Sequence, residues 1–245
     1  MTVLSPDSAI IPIVRYKKSQ PISELLGTGF FVGSKENLYI VTAKHVFLDT
    51  ALQESEEYAF AFKYEGRVGL YRITNIIESP EYDIAAFKTD KIPEAWPLPF
   101  SEHLPALNDD VLCYEYSLTE IERTIDGKTK VKFAPMTHKG NIMRPFVSNF
   151  PRHQNTPCYL LSFPALQGAS GAPVLAHTES KVFYVAGMVV ANFQKHLMPA
   201  QIVRIEENDK SIEETKYFLP LGVAINASVI VPFLRSNHIE FGVAE

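Results

Sequence analysis

The chain is punctuated. Short runs rich in β-branched and aromatic residues recur along it, each bounded by Gly, Pro, Asn or Asp. They fall at 10–16, 29–32, 38–42, 58–62, 68–73, 84–88, 111–116, 130–135, 159–163, 173–175, 182–190 and 218–225. Several short strands at such spacing predict an antiparallel sandwich or barrel. They do not alternate with long helical periodicities, which disfavours a parallel α/β sheet. Apolar residues make up 46% of the chain, enough for a core, and a charged share of 21% argues against disorder.

The punctuation also suggests an organisation. Asp126-Gly127 lies between the runs 122–125 and 128–133. Asp-Gly accepts the positive φ of a tight turn, so a β-hairpin is expected there. The Pro- and acid-rich stretch 90–110 breaks the pattern near the middle and reads as a crossover between two β units. The polar stretch 204–216 reads as an exposed loop. Residues 227–236 ("ASVIVPFLRS") suit a short helix capped by Asn226 or Ser228, with Pro232 in its first turn.

Several function classes lose support from composition. The net charge is −5 and no Lys/Arg block stands out, so nucleic acid is not an expected partner. "RYKKS" (15–19) reads as a solvated turn. No apolar run is long enough to cross a bilayer, so no membrane partner is expected. The start "MTVLSPDSAI" lacks the charged region and apolar stretch of a signal peptide, and a cytoplasmic location is expected. The two cysteines, Cys113 and Cys158, are then most simply buried thiols. Neither they nor His103, His138, His153, His177, His196 and His238 show metal-ligand spacing, and no metal or other cofactor is expected. The sequon at Asn226-Ala227-Ser228 is read as a chance match.

Three segments carry chemistry. "YIVTAKHV" (39–46) ends a β-rich run in His45. "YDIAAFK" (82–88) opens an apolar strand with Asp83. "QGASGAP" (167–173) flanks Ser170 with small residues. Each alone has an ordinary structural explanation. Together they supply what peptide-bond cleavage needs. That is a hydroxyl, a base to activate it, a carboxylate to fix the base's tautomer, and a Gly-flanked loop whose N–H groups can face an oxyanion. The order His, Asp, Ser differs from that of α/β-hydrolases and of subtilisins, and Ala172 breaks the Gly-x-Ser-x-Gly elbow.

These motifs resemble the trypsin-like (chymotrypsin-fold) serine peptidases, particularly the bacterial and HtrA-like branch. "GTGFFVG" (27–33), "VTAKHV" (41–46), "DIAAFK" (83–88), "GASGAP" (168–173), "VAGMVVAN" (185–192) and "LGVAINASVI" (221–230) follow the family's order across about residues 10–236. The resemblance implies one all-β peptidase domain over 1–245, built of two orthogonal six-stranded antiparallel β-barrels with a short C-terminal helix. The N-terminal barrel is expected at about 8–100, the C-terminal barrel at about 110–226 and the helix at 227–236. It implies His45, Asp83 and Ser170 as a catalytic triad and the N–H groups of Gly168 and Ser170 as an oxyanion hole. It places Pro164, Ala165, Leu166 and Gln167 on one wall of the substrate site. Val190, Ala191 and Asn192 fall on the strand that pairs with substrate.

The sequence departs from secreted members of that family. No cysteine stands beside His45, no Ile-Val-Gly-Gly start is present, and Ala169 replaces the aspartate that captures a freed N-terminus. Activation by N-terminal cleavage is therefore not expected, nor is there room after residue 236 for an HtrA-type PDZ domain. No acid occupies the position that selects Lys or Arg at P1, the substrate residue before the cleaved bond. A small or medium apolar P1 is expected. A basic one stays open, because the acidic stretch 206–214 follows the pairing strand. The expected partner is a protein or peptide substrate, with a dedicated partner substrate or regulator open. The alternatives are a catalytically silent protein-binding module of the same fold and a small-ester hydrolase using the same triad.

Overall fold

The computed structural model describes residues 6–17, 20–48, 52, 56–65, 67–123, 129–149, 153–196, 200–206, 209–215 and 218–244. The first half runs β1 (Ile10–Lys17), β2 (Gln20–Gly33), β3 (Leu38–Thr42), α1 (His45–Leu48), β4 (Glu56–Tyr64), β5 (Arg67–Arg72), β6 (Ile77–Glu78) and β7 (Ala85–Lys88). Its strands form one antiparallel sheet in the order β5-β4-β1-β2-β3-β7-β6. The sheet folds over a core in which Phe30, Phe31, Phe60 and Phe87 are almost fully buried. Phe31 meets Phe60 and Phe62 edge-on, with centroids 6.2 and 5.6 Å apart. Burying each such ring stabilises by roughly 1.5–3 kcal/mol.

The second half runs β8 (Asp110–Glu115), β9 (Glu120–Arg123), β10 (Thr129–Lys132), β11 (Met136–Ser148), β12 (Thr156–Leu161), β13 (Pro173–His177), β14 (Phe183–His196), β15 (Ala200–Glu206), β16 (Asp209–Thr215), β17 (Phe218–Asn226) and α2 (Ala227–Ser236). Six strands close a barrel in the order β11-β12-β17-β14-β13-β8, around Val111, Cys113, Leu161, Val174 and Ala224. The protein is all-β with a short C-terminal helix, and the double-barrel fold fits. The N-terminal unit has seven strands rather than six, and its outermost strands β5 and β6 are not neighbours.

Several local expectations need correction. The polar stretch 204–216 is not a loop throughout, because β15 and β16 pair as an antiparallel hairpin with Val203 opposite Ile212. Polar composition did not prevent pairing, because the ladder between two strands is made by their backbones. Pro232 sits sixth in α2 rather than in its first turn, where it deprives the Ser228 carbonyl of the usual i+4 donor. Asn226 is the cap, its Oδ1 accepting the Ser228 N–H at 2.8 Å. Arg15 and Lys17 of "RYKKS" lie on β1 and pair with Glu56 at 3.3 and 3.4 Å; 18–19 fall outside the described residues. β9 and β10 form the expected hairpin strands, while Asp126-Gly127 lies outside the described residues. Cys113 and Cys158 are free and buried. Burial pushes both thiols up, that of Cys158 to about 12, so neither is a nucleophile near neutral pH.

Candidate active site

His45 is delivered by β3, whose buried Leu-Tyr-Ile-Val-Thr run ends just before it. The chain then turns into α1, with the Val46 N–H donating to the Ala43 carbonyl at 3.2 Å and the Phe47 N–H to that of Lys44 at 3.0 Å. The Tyr58 hydroxyl donates to the Phe47 carbonyl at 2.7 Å and pins that turn to β4. Asp83 stands two residues before the start of β7, at the end of a tight turn. Ser79 accepts the Tyr82 N–H on Oγ at 3.1 Å and donates its own N–H to the Ile84 carbonyl at 2.9 Å. Because β3 pairs with β7, the two residues are brought side by side.

Asp83 is 2% exposed and grips His45 twice. Its Oδ1 accepts the His45 backbone N–H at 2.8 Å, and its Oδ2 lies 2.5 Å from Nδ1. A carboxylate only accepts, so Nδ1 carries the ring proton and Nε2 presents a lone pair. That Nε2 is 2.8 Å from the Ser170 Oγ. Burial would push the Asp83 carboxyl up. The hydrogen bonds and charge of His45, together with nearby His153, outweigh it and hold the carboxyl below its ordinary value. The stability it contributes is therefore present above its unfolded value of about 4 and is lost as the pH falls through the lower folded value. The gap between thermal melts of the parent and of Asp83→Asn should be full above about pH 5, begin to narrow near pH 4, and close only below the lowered folded value.

Ser170 sits in a loop that only glycine permits. Gly168 has φ +95° and Gly171 has φ +88°. The Ala169 N–H donates to the Leu166 carbonyl at 2.9 Å, which closes a turn with Gly168 at the position requiring positive φ. A Cβ on Gly171 would lie 2.1 Å from the Thr28 carbonyl oxygen and 2.2 Å from the Thr42 Oγ1. Among the described residues the backbone N–H groups of Gly168 and Ser170 donate to no protein acceptor.

Two residues that sequence reasoning missed hold this arrangement. Thr28 is fully buried and ties the nucleophile loop to both units. Its N–H donates to the Ser170 carbonyl at 2.8 Å, and its Oγ1 donates to the Gly168 carbonyl at 2.8 Å and accepts the Tyr116 N–H at 3.2 Å. Its own carbonyl accepts the Thr42 Oγ1 at 2.8 Å. A polar residue inside the otherwise apolar end of β2 was the available signal. His153, at 4% exposure, brings Nε2 to 3.7 Å from the same Asp83 Oδ2 that meets His45; no local pattern marks it. Beside His45, Val46 fills the place a cysteine would take. Its Cγ2 lies 2.7 Å from where a Cβ on Gly27 would be.

The remaining predicted residues form two facing segments. Pro164 is half-buried, Ala165 buried, and Leu166 and Gln167 exposed. Val190 is buried and is skipped in the pairing of β14 with β17, a bulge that turns the strand beside the nucleophile loop. The Gly171 N–H donates to the Val189 carbonyl at 2.8 Å. Asn192 crosses from β14, its Oδ1 accepting the Ala165 N–H at 2.7 Å and its Nδ2 donating to the Ala165 carbonyl. Among the other histidines, His103, His177 and His238 are exposed, while His138 bonds Glu115 at 2.7 Å and stacks on Phe163. The His196 side chain lies outside what is described. Among the described residues, no three His, Cys, Asp or Glu side chains group as metal ligands.

The family profile described as "trypsin-like peptidase domain" matches residues 27–183, which contain all three of His45, Asp83 and Ser170. No curated protein sequence matches the chain. Among solved structures, a serine endoprotease from Yersinia pestis is similar at a TM-score of 0.54 and 18% identity, over 94% of this chain and 62% of that one. This chain therefore spans less than two thirds of that protein's length. A protease from M. tuberculosis, in its active form, is similar at a TM-score of 0.55 and 16% identity, over 97% of this chain and 84% of that one. At these identities the likeness is one of fold.

Proposed function

This chain belongs to the trypsin-like peptidase domain family, and on that footing we propose that it is a serine endopeptidase working through His45, Asp83 and Ser170. The hydrogen-bonded chain from the Asp83 carboxylate through the His45 ring to the Ser170 hydroxyl carries this reading. Ser170 Oγ attacks the scissile carbonyl as His45 Nε2 takes its proton. The Gly168 and Ser170 N–H groups receive the developing oxyanion. His45 returns the proton to the leaving amine and an acyl-enzyme forms on Ser170. Water, activated by the same Nε2, then releases the acid. Asp83 stays ionised and holds the imidazolium.

The substrate is a protein or peptide, and we place its cleavage in the cytoplasm. Its two cysteines, Cys113 and Cys158, are free thiols, as a reducing compartment keeps them. A dedicated partner substrate fits a peptidase of this kind. Rapid labelling of Ser170 by a fluorophosphonate tests the reading, because only an assembled triad reacts quickly. An unlabelled, folded protein would identify a silent binding module instead. Faster turnover of small esters than of any peptide would favour an esterase.

The oxyanion hole carries its own prediction. A methyl on Gly168 would meet the Leu25 Cδ2 at 2.8 Å and force a side chain onto φ +95°. Gly168→Ala is expected to turn its N–H away and lower kcat by about 10²–10³, with KM little changed. Steady-state kinetics on one peptide would show this. An unaltered kcat would remove Gly168 from the hole.

A further inference from the structure

The side chain of Asn192 reaches from β14 to the backbone of Ala165. We propose that it is a strut across the slot that receives the P1 side chain, restricting cleavage to bonds after glycine, alanine or serine. This inference rests on the endopeptidase reading above, in which P1 enters between the segment 164–167 and residues 190–192 of β14.

The two walls are joined at two levels. Deeper, the Gly222 N–H on β17 donates to the Phe163 carbonyl at 2.7 Å. A Cβ on Gly222 would lie 2.9 Å from that same oxygen, so the walls touch there. Asn192 is the strand partner of Gly222 on β14. It makes the second link, its carboxamide bonded to both the N–H and the carbonyl of Ala165. Two bonds to one residue fix the plane of the amide as well as its position, as one rung of a sheet would. Asn192 is exposed while Ala165 is buried, which puts the link near the rim of the slot.

A P1 side chain that branches or extends beyond its β-carbon needs the volume this amide fills. Displacing the amide strands the buried N–H and carbonyl of Ala165. Each group left unpaired costs on the order of tenfold to a hundredfold in affinity for the bulky substrate. Glycine, alanine and serine leave the link in place. A Lys or Arg P1 is disfavoured along with Leu and Phe.

The test is a P1-scanning peptide library read as ratios of kcat/KM, for the parent and for Asn192→Gly and Asn192→Ala, with fluorophosphonate labelling of each. The parent should cleave after alanine at least tenfold better than after leucine, phenylalanine or arginine. Both variants should raise the leucine-to-alanine ratio at least tenfold. A parent that is labelled at Ser170 yet cleaves equally after large and small residues overturns the strut and leaves the endopeptidase reading intact. So does a labelled pair of variants with the parent's ratios. A folded parent that is neither labelled nor active on any peptide overturns both.

Discussion

Ser170→Ala is expected to lower kcat for peptide cleavage by on the order of 10⁶ while leaving the fold intact. The substitution removes one atom, the Oγ that lies 2.8 Å from the His45 Nε2. Among the described residues no other hydrogen bond uses that oxygen. The Ser170 carbonyl still accepts the Thr28 N–H, the Gly171 N–H still reaches the Val189 carbonyl, and both positive-φ glycines are unchanged. What remains is binding and an oxyanion site with no nucleophile to use them. Kinetics on a good peptide substrate and a thermal melt of the same sample provide the check. Activity near that of the parent would remove Ser170 as the nucleophile. A lost melt would show that its hydroxyl also holds the loop.

Asp83→Asn should cost about 10⁴ in kcat, for a reason that lies in the bonding on each oxygen. The His45 backbone N–H is always a donor, so the asparagine must turn its carbonyl oxygen toward it, in the place of Oδ1. Its amide NH₂ then faces Nδ1, where Oδ2 had accepted. Two donors cannot share that contact, and the ring responds by carrying its proton on Nε2. In that tautomer Nε2 donates to Ser170 instead of taking its proton. Flipping the amide repairs the ring contact and breaks the backbone one. The measurement is kcat at neutral pH, accompanied by an NMR assignment of the His45 tautomer. Full activity, or an Nδ1-protonated ring in the variant, would contradict it.

The strands whose side chains are buried were legible in the sequence, because burial writes a dense β-branched and aromatic run. β3 and the start of β13 lie where those runs predicted, and β1 and β17 differ by a residue. β11 was not legible. Most of its 13 residues are half-buried or exposed, so nothing in its composition separates it from a loop. The pairing of β15 with β16 was hidden in the same way by charged residues. At the site, His45, Asp83 and Ser170 could be read because each sits in a short local motif. Thr28, His153 and the crossing of Asn192 to Ala165 could not. Each acts across a contact between segments far apart in the chain, and such contacts leave no local periodicity.

The placement of β17 has a consequence in time. It follows every other described strand in the chain, yet it lies in the interior of the barrel order, between β12 and β14. Strand β14 is the one that receives the Gly171 N–H beside Ser170 and carries Asn192. Until residues 218–226 are synthesised the barrel has a gap there, and the nucleophile loop lacks a finished platform. Meanwhile His45 and Asp83 belong to a sheet that can already be complete. A nascent chain thus pairs His45 with Asp83 before the Ser170 loop has its full support. On the proposed reading, an assembled site would therefore wait for residues 218–226.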